Sequence, residues 1–284
     1  MNYLKRIGQI TIYIFAIIGF VLVVGYVAIR LGWTNTQGIV DNQRYYIKNQ
    51  LGTNSGASSP SEVASSSVDM AWARGEQWQV LKEAIQKDTS VINKVGGETS
   101  IPSRIIVASL IVEQLRLFND NREVYKSVFA PLKILGNQSQ FSWGVMGIKQ
   151  DTARAIEAHL KDTTSPWYLG AKYEHTLDYT STTTDVDSER FNRLTNEHDR
   201  RYSYLSAAIY MKQVESQWQN AGFPIDDRPD VVATLFNIGF NNSHPHTDPL
   251  SGGAEIDVEN QKYSFGSLAQ DFYSSNELID EFPR

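Results

Sequence analysis

The sequence contains no cysteine among its 284 residues, and this absence removes several classes of protein at once. Disulfide-held scaffolds, thiolate zinc sites and cysteine nucleophiles are excluded. Nucleotide-binding patterns of the Gly-x-Gly-x-x-Gly or Walker type are missing as well, and no cofactor is expected. With a net charge of −6, the chain also lacks the basic excess that a nucleic-acid partner requires. A hydrophobic content of 41% nevertheless excludes general disorder.

The longest uncharged run lies near the N-terminus, where Ile7–Ile29 contribute 23 residues without a formal charge. A helix of that length spans roughly 35 Å, which is enough to cross a bilayer core of about 30 Å. A cleaved signal peptide is the alternative, but such peptides have apolar cores of only about 7–15 residues. The exit, Tyr26–Arg30, offers no convincing small-x-small cleavage site. We therefore predict an uncleaved transmembrane anchor over residues 7–31.

The flanking charges and the composition predict the topology and the domain organisation. Lys5 and Arg6 precede the run, which favours a cytoplasmic N-terminus, residues 1–6, in the bacterial inner membrane. The rest of the chain is then periplasmic or otherwise extracytoplasmic. Residues 32–68 form a juxtamembrane segment and a tether containing GTNSGASSPSEVASSS, whose composition is typical of a flexible linker. Residues 69–284 remain for a single domain.

Helical periodicity dominates this domain, so the predicted fold class is mainly α. We expect helices over 70–94 with a stop at Gly96–Gly97, from Pro102 onward, and over 151–161, 203–220, 229–239 and 264–282. The segment 162–196, which contains TLDYTSTTTDV, predicts a small β-hairpin or an ordered loop.

One glutamate stands out in the segment SRIIVASLIVEQLRLF. Ile106, Leu110, Glu113 and Leu117 share one helix face that is otherwise apolar, so Glu113 points towards a core or a cleft wall. Burial against apolar surface raises the pKa of a carboxyl group, which is what donating a proton to a glycosidic oxygen requires. The alternative is a structural ion pair with Arg116.

Two later segments add to this picture. Residues 142–153 have the sequence SWGVMGIKQDTA, and residues 231–239 have the sequence VVATLFNIG. Together with the upstream ASLIVEQ, they resemble the lysozyme-like lytic transglycosylases and goose-type lysozymes in their order along residues 100–240. The matching positions are Ser142, Gly144, Met146, Ile148, Thr152–Ala153, Tyr204–Leu205, Ala233, Asn237 and Gly239.

The resemblance implies a lysozyme-like helical domain that cleaves the β-1,4 bond between N-acetylmuramic acid and N-acetylglucosamine in peptidoglycan. It implies Glu113 as the catalytic acid and base. The implied substrate-binding residues are Ser142, Trp143, Gly144, Met146, Phe236 and Asn237. No metal is implied, and an envelope-spanning protein complex is a further expected partner.

The sequence departs from the family pattern at three places. Residues 119–141 would be an insertion, Gly147 stands where the family often has glutamine, and Phe236 replaces the usual tyrosine. These departures leave open a lysozyme-like protein that binds glycan or acts as a scaffold with weakened catalysis. A second carboxylate, for which Asp120, Asp185 and Asp187 are candidates, would indicate hydrolysis rather than transglycosylation.

Other residues suggest sites with simpler alternatives. Five aromatic side chains suit sugar stacking but equally suit packing, namely Trp143, Trp167, Tyr168, Tyr173 and Tyr179. The His244-x-His246-x-Asp248 spacing suits a metal, although a surface loop is the simpler explanation. The acidic run Asp185–Glu189 suits calcium or, more simply, a solvated loop.

Overall fold

The computed structural model describes residues 70–119, 142–258 and 261–284, all of which belong to one unit of the chain, Gly56–Arg284. This part is mainly α-helical, which confirms the predicted class. The predicted anchor, the tether and all of the predicted insertion beyond its first residue lie outside the described residues. Inside those ranges, no helix has both the length and the apolar character needed to cross a membrane.

Eight α-helices and two hairpins make up the described residues. The helices are α1 Glu76–Lys87, α2 Thr89–Thr99, α3 Ser103–Asn119, α4 Gln150–Lys161, α5 Val186–Thr195, α6 Arg201–Asn220, α7 Pro229–Ile238 and α8 Phe265–Ser274. The antiparallel hairpins are β1 Ser142–Trp143 with β2 Ile148–Lys149, and β3 Glu255–Val258 with β4 Gln261–Ser264. In the first hairpin Trp143 is opposite Ile148, and in the second Ile256 is opposite Tyr263.

The N-terminal part of the domain differs from its prediction. Instead of one helix over 70–94, a short 3-10 turn is followed by α1 and α2, which are separated at Asp88. The predicted stop at Gly96–Gly97 is wrong, because α2 continues to Thr99 and ends at Ser100, whose φ of 59° is left-handed. Gly96 has a packing role instead, since a Cβ there would lie 3.0 Å from the carbonyl oxygen of Ile101 and even closer to Ser103.

The segment 162–196 contains a helix that the sequence analysis missed. Residues 162–185 form turns and loop without a strand, so the predicted hairpin is absent, and this loop leads to α5. The Asp185 carboxylate caps this helix by accepting a 3.0 Å hydrogen bond from the backbone N–H of Ser188. That bond satisfies an N–H that would otherwise lack a partner at the helix start.

Helix α3 is the centre of the packing and is contacted by α1, α2, α6, α7, α8 and β3. It begins after Pro102, whose carbonyl accepts a 2.9 Å hydrogen bond from the N–H of Ile105. The four residues predicted to share a buried face are all buried, and so are Ile105, Val107, Ile111, Val112 and Leu115 on other faces. A helix that is buried on all of its faces is an interior helix rather than an amphipathic surface helix.

A buried arginine fastens the start of α3 to the C-terminal end of the chain. Arg104 has no exposed surface, and its five N–H groups donate to five backbone carbonyls at 2.7–3.1 Å: those of Phe272, Tyr273, Ser275, Glu277 and Phe282. The guanidinium also lies 4.6 Å from the centre of the Phe272 ring. Carbonyls at the end of α8 carry partial negative charge, so they can hold a cation without a carboxylate partner.

Candidate active site

Glu113 lies inside the domain and is 3% exposed. Its Oε2 accepts a 3.1 Å hydrogen bond from Nε of Arg116, and its Oε1 accepts one of 2.5 Å from Nη2 of the same residue. The structural ion pair considered as the alternative is therefore present, and it is bidentate. Both carboxyl oxygens of Glu113 therefore accept a hydrogen bond from the same guanidinium.

Residues 142–153, the first of the two segments that resemble the family, form a turn that lies directly against this carboxylate. Strands β1 and β2 are joined by Gly144–Gly147, in which the N–H of Gly147 donates to the carbonyl of Gly144 at 3.2 Å. A Cβ at Gly147 would overlap Oε1 of Glu113 and lie 2.8 Å from its Cγ. Because φ is also +62° here, glycine is required both by the backbone and by the contact with Glu113.

The other end of the turn is equally confined. Gly144 has a φ of +65°, and a Cβ there would overlap the carbonyl oxygen of Leu194 and lie 2.9 Å from Oγ of Ser203. Ser203 also accepts a hydrogen bond of 3.4 Å from the N–H of Met146. The turn Gly144–Gly147 therefore packs against the end of α5, the start of α6 and the side chain of Glu113. Beside Glu113, Gln114 donates to the carbonyl of Val145 at 2.5 Å.

Two predicted substrate-binding side chains in this hairpin are packing residues in the structure. Trp143 is 4% exposed and packs edge-on against Phe191, with ring centres 5.0 Å apart. Met146 is fully buried. A sugar ring needs an open aromatic face, so the Trp143 ring cannot serve as a stacking surface in this arrangement. Ser142 lies in β1 opposite Lys149.

Residues 231–239, the second segment that resembles the family, lie in α7 and at its C-terminal end. Helix α7 contacts α3. Gly239 ends α7 with a φ of +93°. Oδ1 of Asn237 accepts a 2.8 Å hydrogen bond from the N–H of Ala254, so this amide secures the chain before β3. Phe236 is half-buried, with its ring centre 5.5 Å from that of Tyr210. Within the described residues, hydrogen bonds and ion pairs link the Glu113 side chain to Arg116 rather than to Phe236 or Asn237.

Three further residues that match the family pattern pack in the core or form hydrogen bonds within the domain. Ala153 is buried near the start of α4, and Leu205 is buried in α6. The Tyr204 hydroxyl donates to Oδ2 of Asp88 at 2.6 Å, and Arg200 donates to the same oxygen at 2.9 Å. Burial, together with Asp88, raises the pKa of Tyr204, so its hydroxyl remains a donor.

Two of the three candidates for a second carboxylate lie in the described residues, and both already have hydrogen-bond partners. The hydroxyl and backbone N–H of Ser188 hold the pKa of Asp185 below its ordinary value. Hydrogen bonds from Arg154, followed by Arg190, do the same for Asp187 despite some desolvation. Asp120 lies outside the described residues. Both visible candidates therefore serve α5 and its ion pairs.

The aromatic and metal candidates are also accounted for by packing and local bonds. The Tyr173 hydroxyl donates to the carbonyl of Thr99 at 3.3 Å, and the Tyr179 hydroxyl donates to Glu157 at 2.5 Å. Trp167 packs on His159, with ring centres 4.5 Å apart. His246 has its Nδ1 2.6 Å from the carbonyl oxygen of His244. Across the ranges that the structure describes, no cluster of three or more metal-ligating side chains is found.

Two residues important for the site were missed or misjudged from the sequence. Arg104 had no signal beyond being a charge in the first turn of an apolar helix. Gly147 was noted in the sequence, but only as the loss of a glutamine side chain.

Comparison of this chain with protein-family models, with curated proteins and with solved structures found no match.

Proposed function

We propose that this chain is a membrane-anchored enzyme that cleaves peptidoglycan glycan strands, acting as a lytic transglycosylase with Glu113 as its acid and base. The observation that supports this most directly is the contact between Gly147 and Glu113. The turn and the glutamate that the resemblance connects are distant in sequence but adjacent in space. The lysozyme-like fold is part of this proposal.

The proposed reaction needs one carboxyl group that changes protonation state. Protonated Glu113 gives its proton to the glycosidic oxygen as the C1–O bond breaks, and the bonding electrons leave with that oxygen. The muramoyl 6-hydroxyl oxygen then bonds to C1, and its proton returns to the Glu113 carboxylate. The product carries an anhydro end, and no water is consumed.

Transglycosylation is preferred to hydrolysis because the two candidate second carboxylates that the structure describes already have partners, while Asp120 lies outside the described residues. Hydrolysis by a carboxylate pair needs a second group to activate water or to trap the sugar. Asp185 is occupied by Ser188, and Asp187 by Arg154 and Arg190. An intramolecular hydroxyl nucleophile removes the need for either of them.

A second candidate function is favoured by the Arg116 ion pair. Both oxygens of Glu113 are occupied, and the residue is 3% exposed. A protein that kept the fold to bind glycan, or to act as a scaffold in an envelope complex, would tolerate such a closed carboxylate. Tight binding to glycan without cleavage would be its signature.

The test is product analysis on purified sacculi with the full chain in detergent micelles. Wild type, Glu113→Gln and Glu83→Gln are compared, since Glu83 is an exposed glutamate on α1 that serves as the matched control. We expect anhydromuropeptides from wild type and from Glu83→Gln, and at least a hundredfold less from Glu113→Gln. Reducing ends would indicate hydrolysis. Binding to sacculi without products from any variant would establish the second candidate.

A further inference from the structure

The ion pair between Glu113 and Arg116 has a geometry that bears on how the carboxylate works. Nε and Nη2 of the guanidinium contact one carboxylate oxygen each. A hydrogen bond from a guanidinium is stronger to a carboxylate than to a neutral carboxyl group. The observed arrangement therefore suits the carboxylate that Glu113 becomes when it gives up a proton.

The surroundings of this carboxylate leave Arg116 as its charged partner. On the hairpin side, a Cβ built at Gly147 would overlap Oε1 of Glu113. The side-chain amide of the neighbouring Gln114 donates to the carbonyl of Val145. Among the described residues of α3 and of the elements packed against it, the hydrogen bonds and ion pairs of the Glu113 side chain come from Arg116.

We propose that Arg116 is a positioning residue for the reaction. It fixes the orientation of Glu113 against Gly147 and stabilises the carboxylate that forms as the proton passes to the leaving oxygen. This inference rests on the proposed function. The proton moves from Glu113 to the glycosidic oxygen, the hydrogen bonds from Arg116 strengthen as charge develops on the carboxylate, and they weaken again when the proton of the 6-hydroxyl is taken up.

One effect on rate follows from this role. The guanidinium favours the transition state, in which the carboxylate charge is appearing. Removing it should lower kcat, because Glu113 then loses both its fixed orientation and the partner that stabilises its developing charge.

The chain offers a matched ion pair elsewhere as a control. Arg190 on α5 donates from Nε to Oε1 of Glu157 at 2.8 Å and from Nη2 to Oε2 at 2.7 Å, and its side chain is 7% exposed. Replacing Arg190 breaks a bidentate, largely buried arginine–glutamate pair, together with its bond to Asp187, without touching Glu113. It therefore removes a comparable buried ion pair without the proposed effect on the reaction.

The experiment measures kcat and KM for anhydromuropeptide release from soluble glycan strands by the full chain, for wild type, Arg116→Met, Arg116→Lys and Arg190→Met. All four are assayed below their thermal unfolding midpoints. We expect Arg116→Met to lower kcat about tenfold with little change in KM, because the lost interaction is strongest in the transition state. Arg116→Lys should recover part of this loss, because its charge remains while the bidentate geometry is lost. Arg190→Met should leave kcat near the wild-type value.

Two results would overturn the proposal while leaving the enzymatic function intact. One is an Arg116→Met variant whose kcat equals that of wild type or whose loss lies wholly in KM. The other is an Arg190→Met variant that lowers kcat as much as Arg116→Met does. Absence of products from wild type and all variants would instead refute the enzymatic function, and this inference with it.

Discussion

Gly147→Ala is the substitution that tests the central geometric observation most sharply. The new methyl group would overlap Oε1 of Glu113, and the residue would keep a φ of +62°. A left-handed backbone costs an alanine about 1–2 kcal/mol, and forced overlap in a packed site adds about 1–3 kcal/mol. We expect a total loss of about 2–5 kcal/mol in the free energy of unfolding.

The chain provides a control that separates the two contributions. Gly222 has a φ of +85°, but a Cβ there would meet nothing within 4 Å. Gly222→Ala should therefore show only the backbone cost of about 1–2 kcal/mol. In a Glu113→Ala background the overlapping atoms are gone, so Gly147→Ala should also fall to that value.

Urea denaturation followed by far-UV circular dichroism measures these differences, with the four variants and wild type compared in the same detergent. Equal losses for Gly147→Ala and Gly222→Ala would refute the contact between the turn and Glu113. So would a Gly147→Ala loss that does not change when Glu113 is shortened, because the clash would then lie elsewhere.

Two further predictions concern stability. Arg104→Met leaves five carbonyls, three of them in buried hydrogen bonds, without their donor. We expect it to cost about 3–5 kcal/mol in urea denaturation, against less than about 1 kcal/mol for the exposed control Arg154→Met. Similar losses for the two would contradict the role of Arg104. Burial raises the pKa of Glu215 from 4.5 to about 7, so the unfolded chain releases this proton first and the protonated fold loses stability as the pH rises between those values. Glu215→Gln should therefore gain about 3 kcal/mol over wild type above neutrality and nothing in acid, whereas the exposed Glu83→Gln should show no such dependence. A pH-independent difference for Glu215→Gln would rule out the buried-acid explanation.

The helices that periodicity predicted correctly share a simple feature. Segments such as DTARAIEAHLK have one apolar face and one polar face, and α4 and α6 form within about two residues of their predicted ranges. The Gly96–Gly97 stop failed because a glycine that ends a helix and a glycine that allows close packing look the same in sequence. In α2 the packing against Ser103 decides the matter.

The missed helix α5 shows a signal that was present but given another meaning. Asp185 followed three residues later by Ser188 is a capping arrangement, and acidic residues in a first turn favour a helix start. The carboxylates of this run were considered for calcium or for a solvated loop. Their actual partners, Arg154 and Arg190, are contributed by α4 and by α5 itself, and the first of these contacts depends on tertiary structure.

The candidate site could be predicted only in part. Glu113 and its turn were connected by the order of motifs, and the structure brings them together. Periodicity could not distinguish an acid facing a cleft from an acid paired with Arg116, because both place the same residue on the same helix face. Aromatic residues posed the same difficulty, since a buried Trp143 and an exposed one have identical local sequences.

The buried Arg104 has a consequence for which parts of the site can move. Helix α3 is fastened at its start by five carbonyl bonds and enclosed along its length, so its amide protons should exchange with solvent only when the whole domain unfolds. The hairpin opposite Glu113 has two-residue strands, and its amides should exchange through a smaller, local opening. Local opening around Glu113 should therefore begin with the hairpin rather than with α3.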